Sequence, residues 1–154
     1  MFRGNHQTRV DETFRLKLPA EFKRLVDEQY GPGFYITSQD GKRAQLWPMK
    51  VWEAYEAKIV QLEETDPDRE DFLNVTSYYG QTAEMDAQGR LLLPQVIRQS
   101  ANLTGEVNVL GMQTIIEVIN LEMFKAERAG ADGIVALPRS NKAALAEKTR
   151  ALKG

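Results

Sequence analysis

Cysteine is absent from the 154 residues, which excludes a disulfide framework and a thiolate metal site and fits a reducing compartment. Histidine occurs once, at His6. With no second imidazole or thiolate, a histidine-based metal site or triad lacks its partners, and an exposed N-terminal side chain is the expected role. No run ends in Gly-Lys-Ser/Thr, and no Gly-x-Gly-x-x-Gly occurs, so the common phosphate-cradling loops are missing. No apolar stretch approaches the ~18–20 residues of a membrane span. Met1-Phe2-Arg3-Gly4-Asn5-His6 lacks the apolar centre of a secretory signal. The expectation is a cytoplasmic chain that is not an enzyme, with no cofactor, no metal and no small-molecule substrate. Asp, Glu and Arg alone can do chemistry, but no spacing here points to it.

A chain of this length can bury roughly 70% of its unfolded surface, enough for one or two small domains. Its net charge of −2 is unevenly spread. Residues 1–24 carry six cations against three acids. Residues 63–71 carry six acids against one cation, and the tail from Arg139 carries five cations against one acid. Such segregation most often marks solvated faces and tails. The acids around Asp66-Pro67-Asp68 read as a solvated linker.

Against these absences stands a repeat. Asp11-Glu12-Thr13-Phe14-Arg15-Leu16-Lys17-Leu18-Pro19 and Asp86-Ala87-Gln88-Gly89-Arg90-Leu91-Leu92-Leu93-Pro94 share Asp-x-x-x-Arg-Leu-x-Leu-Pro at an offset of 75. Two copies in equivalent halves of one chain indicate duplication. Each reads as a tight hairpin leading into a helix. Asp at the head of a turn accepts bonds from backbone N–H groups two residues on, and Gly89 supplies the positive φ that closes a short bulged loop. Proline suits the start of a helix, where its missing N–H has no partner anyway. Phe14 stands where the second copy has Gly89; a bulky side chain resists positive φ, so the first loop must change shape or accept strain. Asp86 and Arg90 flank the second loop, close enough to interact, and each hairpin would present an Arg oriented by an Asp to an anionic partner.

Along the chain, the pattern predicts a strand from Asn5 to Val10, the first hairpin, and a short helix with Phe22, Leu25 and Val26 on one face. Strands follow at Phe34–Thr37 and Ala44–Trp47, then a helix from Pro48 with Val51, Tyr55, Ile59 and Leu62 as its stripe and Trp52 beside it. A further helix spans about Arg69 to Tyr79. The second hairpin leads to a short helix with Val96, Ile97 and Ala101, a strand Val107–Leu110, a turn Gly111-Met112-Gln113, a strand Thr114–Ile119, and a helix from Asn120 to about Ala129. Trp52-Glu53-Ala54 aligns with Phe124-Lys125-Ala126 at an offset of 72. Each half thus reads strand, hairpin, short helix, two strands, helix. Trp47, Trp52, Tyr55, Tyr78 and Tyr79 suit core or subunit contacts better than a base-stacking platform. Ser140 is placed to cap a short helix in a tail expected to be mobile.

The opening Met1-Phe2-Arg3-Gly4, the two Asp-x-x-x-Arg-Leu-x-Leu-Pro hairpins and the Leu46-Trp47-Pro48 junction closely resemble the MraZ family of bacterial transcriptional regulators, over about residues 1–130. The resemblance implies an α+β fold of tandem pseudo-symmetric SpoVT/AbrB-like swapped-hairpin β domains with short helices. It implies domains at 5–51 and 80–123, connecting helices at 52–79, and a C-terminal helix with a mobile basic tail over 124–154. It also implies a nucleoid-associated regulator that binds, as a ring-shaped homo-oligomer, short direct repeats in double-stranded DNA at the promoter of its own division and cell-wall operon. Carried over by position, the DNA-binding residues are Asp11, Arg15, Asp86 and Arg90, with Arg3, Arg9 and Lys17 as secondary contacts. The family usually has Lys-Gly where Thr13-Phe14 stands, commonly a Trp at Ile119, and often an Arg at Asn74. An antitoxin-like module that neutralises a protein partner and regulates its own synthesis is the alternative.

Overall fold

Leu16 faces Leu91 across a pair of antiparallel strands, and these two leucines are separated by the repeat offset of 75. Gln45 faces Glu117 in the same way, at the offset of 72 found for the later elements. A residue paired with its own sequence equivalent is what an isologous contact on a two-fold axis requires. The two halves therefore pack as a dimer within one chain.

The computed structural model describes residues 1–152. The first half runs β1 (Phe2–Val10), β2 (Arg15–Lys17), α1 (Ala20–Leu25), β3 (Gly33–Thr37), β4 (Arg43–Pro48) and α2 (Met49–Ile59). After α3 (Pro67–Tyr78) the second repeats it: β5 (Gln81–Glu84), β6 (Arg90–Leu92), α4 (Gln95–Ser100), β7 (Gly105–Gln113), β8 (Ile115–Ile119) and α5 (Leu121–Arg128). The element order read from the sequence therefore holds, in an α+β fold with an antiparallel sheet.

The eight strands form one sheet in the order β5-β3-β4-β8-β7-β1-β2-β6. Its outer members, β5 and β6, are the arms of the second hairpin, joined where the Asp86 N–H donates to the Arg90 carbonyl at 3.0 Å, so the sheet curls back on itself. The halves are interlaced. β1 pairs with β7 of the other half, and β5 pairs with β3.

The core repeats as the sequence does. Leu16, Leu18, Phe22 and Val26 are buried, and so are Leu91, Leu93, Ile97 and Ala101 at the offset of 75. Burying eight such side chains at roughly 1.5–3 kcal/mol for each large one is the main force holding the halves together. Pro19 and Pro94 sit at the N-cap positions of α1 and α4. After α1 the chain widens into one π-helical turn, Val26–Tyr30, closed by the Gly31 N–H on the Val26 carbonyl at 2.9 Å.

Several local expectations are corrected. Gly111 is not in a turn but inside β7, opposite Gly4. A Cβ there would collide with the backbone of Phe2 and Arg3, so this glycine serves close strand approach rather than chain reversal. The reversal falls at Gln113, with φ of 67°. The stripe on α2 is also revised: Trp52 is the buried residue, whereas Tyr55 and Leu62 are exposed. Trp52 stacks on Tyr35 and on Phe72 of α3. Asp66-Pro67 does not begin a linker; Asp66 caps α3 by accepting the Asp68 N–H at 2.9 Å, with Pro67 in the first turn. Its acids thereby face the positive end of a helix. The far end of α3 is tied to β3, where Tyr35 Oη and Thr37 Oγ1 both donate to the Thr76 carbonyl.

A second compact unit begins at Leu121. It contains α5, a bridge between Ala129 and Val135, and α6 (Arg139–Ala151). Pro138, not Ser140, occupies the N-cap position of α6.

Candidate nucleic-acid interface

The two hairpin loops have the same backbone. In the first, Asp11 N–H donates to the Arg15 carbonyl and Phe14 N–H to the Asp11 carbonyl; in the second, Asp86 and Gly89 do likewise toward Arg90 and Asp86. Asp11 Oδ1 accepts the N–H groups of Thr13 and Arg15, as Asp86 Oδ1 accepts those of Gln88 and Arg90, all within 2.8–3.0 Å. Phe14 takes the conformation of its glycine counterpart, φ 65° against 80°. The first loop thus keeps its geometry and accepts strain, on the order of 1 kcal/mol or more for a bulky residue there.

The tips lie side by side across the pseudo-two-fold. Leu18 N–H donates to the Gly89 carbonyl, and Leu93 N–H to that of Phe14; each pair maps onto the other at the offset of 75. Between the loops β2 and β6 pair, Arg15 opposite Leu92 and Lys17 opposite Arg90. Leu16 and Leu91 point into the core, and strand alternation then places Arg15, Lys17, Arg90 and Leu92 together on the other face. Three of the predicted cations, contributed by both halves, thereby form one ribbon surface.

The acids do unequal work. Asp86 Oδ2 accepts from Arg90 Nε at 2.9 Å, holding the guanidinium in the orientation expected from sequence. In the first half, Asp11 accepts instead from the Thr13 hydroxyl at 2.7 Å. Among the described residues no ion pair joins Asp11 to the Arg15 guanidinium. The expectation of an Asp-held Arg in both tips is corrected for the first: the Thr13 hydroxyl bonds Asp11 Oδ1, the oxygen that also accepts the loop N–H groups, whereas Arg90 bonds the other oxygen, Oδ2, of Asp86. Bonds from the Arg90 backbone N–H, its side chain and the Gln88 N–H hold the Asp86 carboxyl below its ordinary range. The Thr13 hydroxyl and the Arg15 N–H do the same for Asp11, helped by the charge of Arg90 from the other half.

A depressed folded value means that each carboxylate stabilises its loop fully above its unfolded pKa, and that the contribution is lost as pH falls through the lower folded value. The melting difference between wild type and Asp86→Asn should therefore be constant from about pH 8 to 5 and shrink below about pH 4. Thermal unfolding followed across pH checks this, and a difference that changed between pH 5 and 8 would contradict it.

The remaining predicted contacts are scattered. Arg9, at the root of the first hairpin, lies 3.9 Å from Glu106 with both side chains exposed. Arg3 sits at the other end of β1, roughly 25 Å along the strand from the loop, and is not brought to the tips. His6 is half-buried, not freely exposed: its ring meets Phe22 edge-on at 4.8 Å, and Nε2 lies 3.8 Å from Glu21.

Two neighbours of the tips escaped the sequence reading. Arg98 of α4 lies over the Phe14 ring, 3.8 Å from its centroid. Lys23 of α1 lies over Gly89, where an added Cβ would come within 2.8 Å of its Cδ. Lys23 and Arg98 are themselves equivalents at the offset of 75. Extending the repeat alignment into the helices finds them as a matched pair of cations, but only coordinates show that each reaches across to the other half's loop.

No helix among the described residues is long and apolar enough to cross a membrane. No group of three or more His, Asp or Glu among them is placed to hold a metal.

Comparison with known proteins gives the chain's relatives. The profile of a family described as "MraZ protein, putative antitoxin-like" matches residues 1–75 and 80–130. A transcriptional regulator MraZ from Acidobacterium capsulatum is 58% identical over 125 residues, 81% of this chain and 86% of that protein. One from Koribacter versatilis is 48% identical over 128 residues, covering 82% and 87%. A third, from Syntrophobacter fumaroxidans, is 30% identical over 125 residues, covering 81% and 83%.

Proposed function

The chain belongs to the MraZ family, and from that premise we propose that it regulates transcription by binding double-stranded DNA through the paired hairpin tips. The observation that carries this reading is the ribbon of β2 and β6, which gathers Arg15, Lys17 and Arg90 from both halves onto one face. Residues 5–51 and 80–123 are then the repeat units, with 52–79 connecting them.

A two-stranded ribbon fits the major groove, and an arginine fork pairs bidentately with guanine O6 and N7 or with phosphate. Asp86 orients the Arg90 guanidinium before contact, so less freedom is lost on docking. A single pseudo-dimer offers few contacts. A ring presenting the tips repeatedly to direct repeats in its own promoter raises avidity through effective concentration. Exposed Tyr55, Val60, Leu62, Val75 and Tyr78 on and beside α2 and α3 are the apolar surface we assign to head-to-tail subunit contacts that close such a ring. The site of action is then the nucleoid.

Retention of the DNA upstream of its own gene, against scrambled DNA of the same length, tests this reading. Binding should weaken linearly in log salt, with a slope of about −0.9 for each phosphate neutralised. Lys17→Ala should flatten that slope by about one while leaving sequence discrimination intact. An unchanged slope would remove Lys17 from the interface. The antitoxin-like wording of the family description favours a second reading, in which the chain also neutralises a protein partner. A stoichiometric partner co-purifying with the full chain and inhibited by it would support that reading.

A further inference from the structure

The two tips are not chemically equivalent. The second tip carries Gly89, crossed by the methylenes of Lys23, whose ammonium is tied to Asp27 at 2.7 Å. The first carries Phe14, 47% exposed. Asn102 stands at the position equivalent to Asp27, so Arg98 lacks the acid that its counterpart Lys23 has. Instead Arg98 Nη1 donates to the Leu93 carbonyl at 3.0 Å, with its guanidinium against the Phe14 ring. Gln95, Gln99, Asn102 and Thr104 line the open space beside this pair. The first tip therefore offers an apolar ring and an acid-free cation among uncharged hydrogen-bonding groups; the second offers an orienting Asp-Arg pair.

We propose that Phe14 is a base-reading residue, its exposed ring edge packing on the C5 methyl of a thymine in the major groove, so that the two tips of one protomer read different bases. This rests on the DNA-binding reading given above. Arg98 decides between the two ways an aromatic can meet DNA. A ring wedged between base steps needs both faces free, and one face here is covered. An edge contact with a methyl group needs neither face. Apolar contact with the thymine methyl is the only major-groove feature that such a ring can recognise. The strained φ of 65° is consistent with this role, because glycine would satisfy the loop without strain but would present no apolar surface.

The test replaces each thymine of the upstream repeats by uracil in turn, which removes only the methyl group. Wild-type protein should lose about fourfold in affinity per repeat at one thymine position, the worth of one buried methyl. Phe14→Gly, whose residue suits the positive φ, should bind the native DNA about as weakly as wild type binds the uracil duplex, and should be indifferent to the substitution. Phe14→Asn, which also tolerates that φ, should behave like Phe14→Gly and guards against an effect peculiar to glycine. Indifference of wild type to every uracil, or equal sensitivity of both variants and wild type, would overturn the proposal. Failure of the underlying interface would look different: Arg90→Ala would then bind the native repeats as tightly as wild type.

Discussion

Replacing Arg90 with alanine is expected to abolish retention of the upstream repeats in a gel shift while leaving oligomer size by light scattering unchanged. One bidentate arginine–guanine pair is worth about 1–3 kcal/mol of discrimination, roughly five- to 150-fold per tip, and a ring that engages several repeats multiplies the loss. Oligomer size should hold because Arg90 packs against its own loop. Its Nε donates to Asp86, and 38% of its side chain remains open. The geometry also separates the two tips. Arg90→Lys should be nearly as damaging as alanine, since an ammonium reproduces neither the fork nor the bond that Nε makes. Arg15 has no such clamp, so Arg15→Lys should retain more binding than Arg90→Lys. Equal tolerance at both positions would mean that the Asp86 contact does nothing for recognition.

The second large effect concerns the fold. Gly111→Ala should destabilise the chain by at least about 3 kcal/mol in chemical denaturation, a size seen only where a named structural mechanism fails. The added Cβ meets backbone atoms of Phe2 and Arg3 rather than the end of a flexible side chain. β1 must then move away from β7 along their nine paired positions, and this pairing joins the halves. By contrast, Gly105→Ala meets no atom within 4 Å and carries only the backbone strain of its φ of 63°. It should cost about 1 kcal/mol. Similar stability for the two variants would contradict the close approach of β1 and β7.

Comparing these positions shows what the sequence carries and what it hides. The hairpins were legible because their signals are local: Asp at the head, a turn of fixed length, alternating leucines, and proline at the following helix. The duplication was legible because core residues recur at 75, from Leu16 and Leu91 to Phe22 and Ile97. Gly111 misled because glycine has two uses, reversal and close approach, and only the partner strand tells them apart. Asp66-Pro67 misled similarly, since the same residues end a helix or cap the next. The register of β2 against β6 joins residues far apart in the chain, centred on the Leu16–Leu91 pair, and no local pattern encodes it. Nor does one tell that Asp11 takes the Thr13 hydroxyl rather than the Arg15 guanidinium, or that Arg98 crosses to Phe14.

The absence of cysteine allows the most direct measurement. A photo-activated crosslinker is attached to one introduced thiol, either Gln88→Cys on the exposed second loop or Glu53→Cys on the exposed side of α2. The full chain is then irradiated on radiolabelled upstream duplex at physiological salt. Crosslinks should form from position 88, at bases within each repeat, and not from position 53. Labelling from position 53 with none from position 88 would place the duplex elsewhere on the molecule.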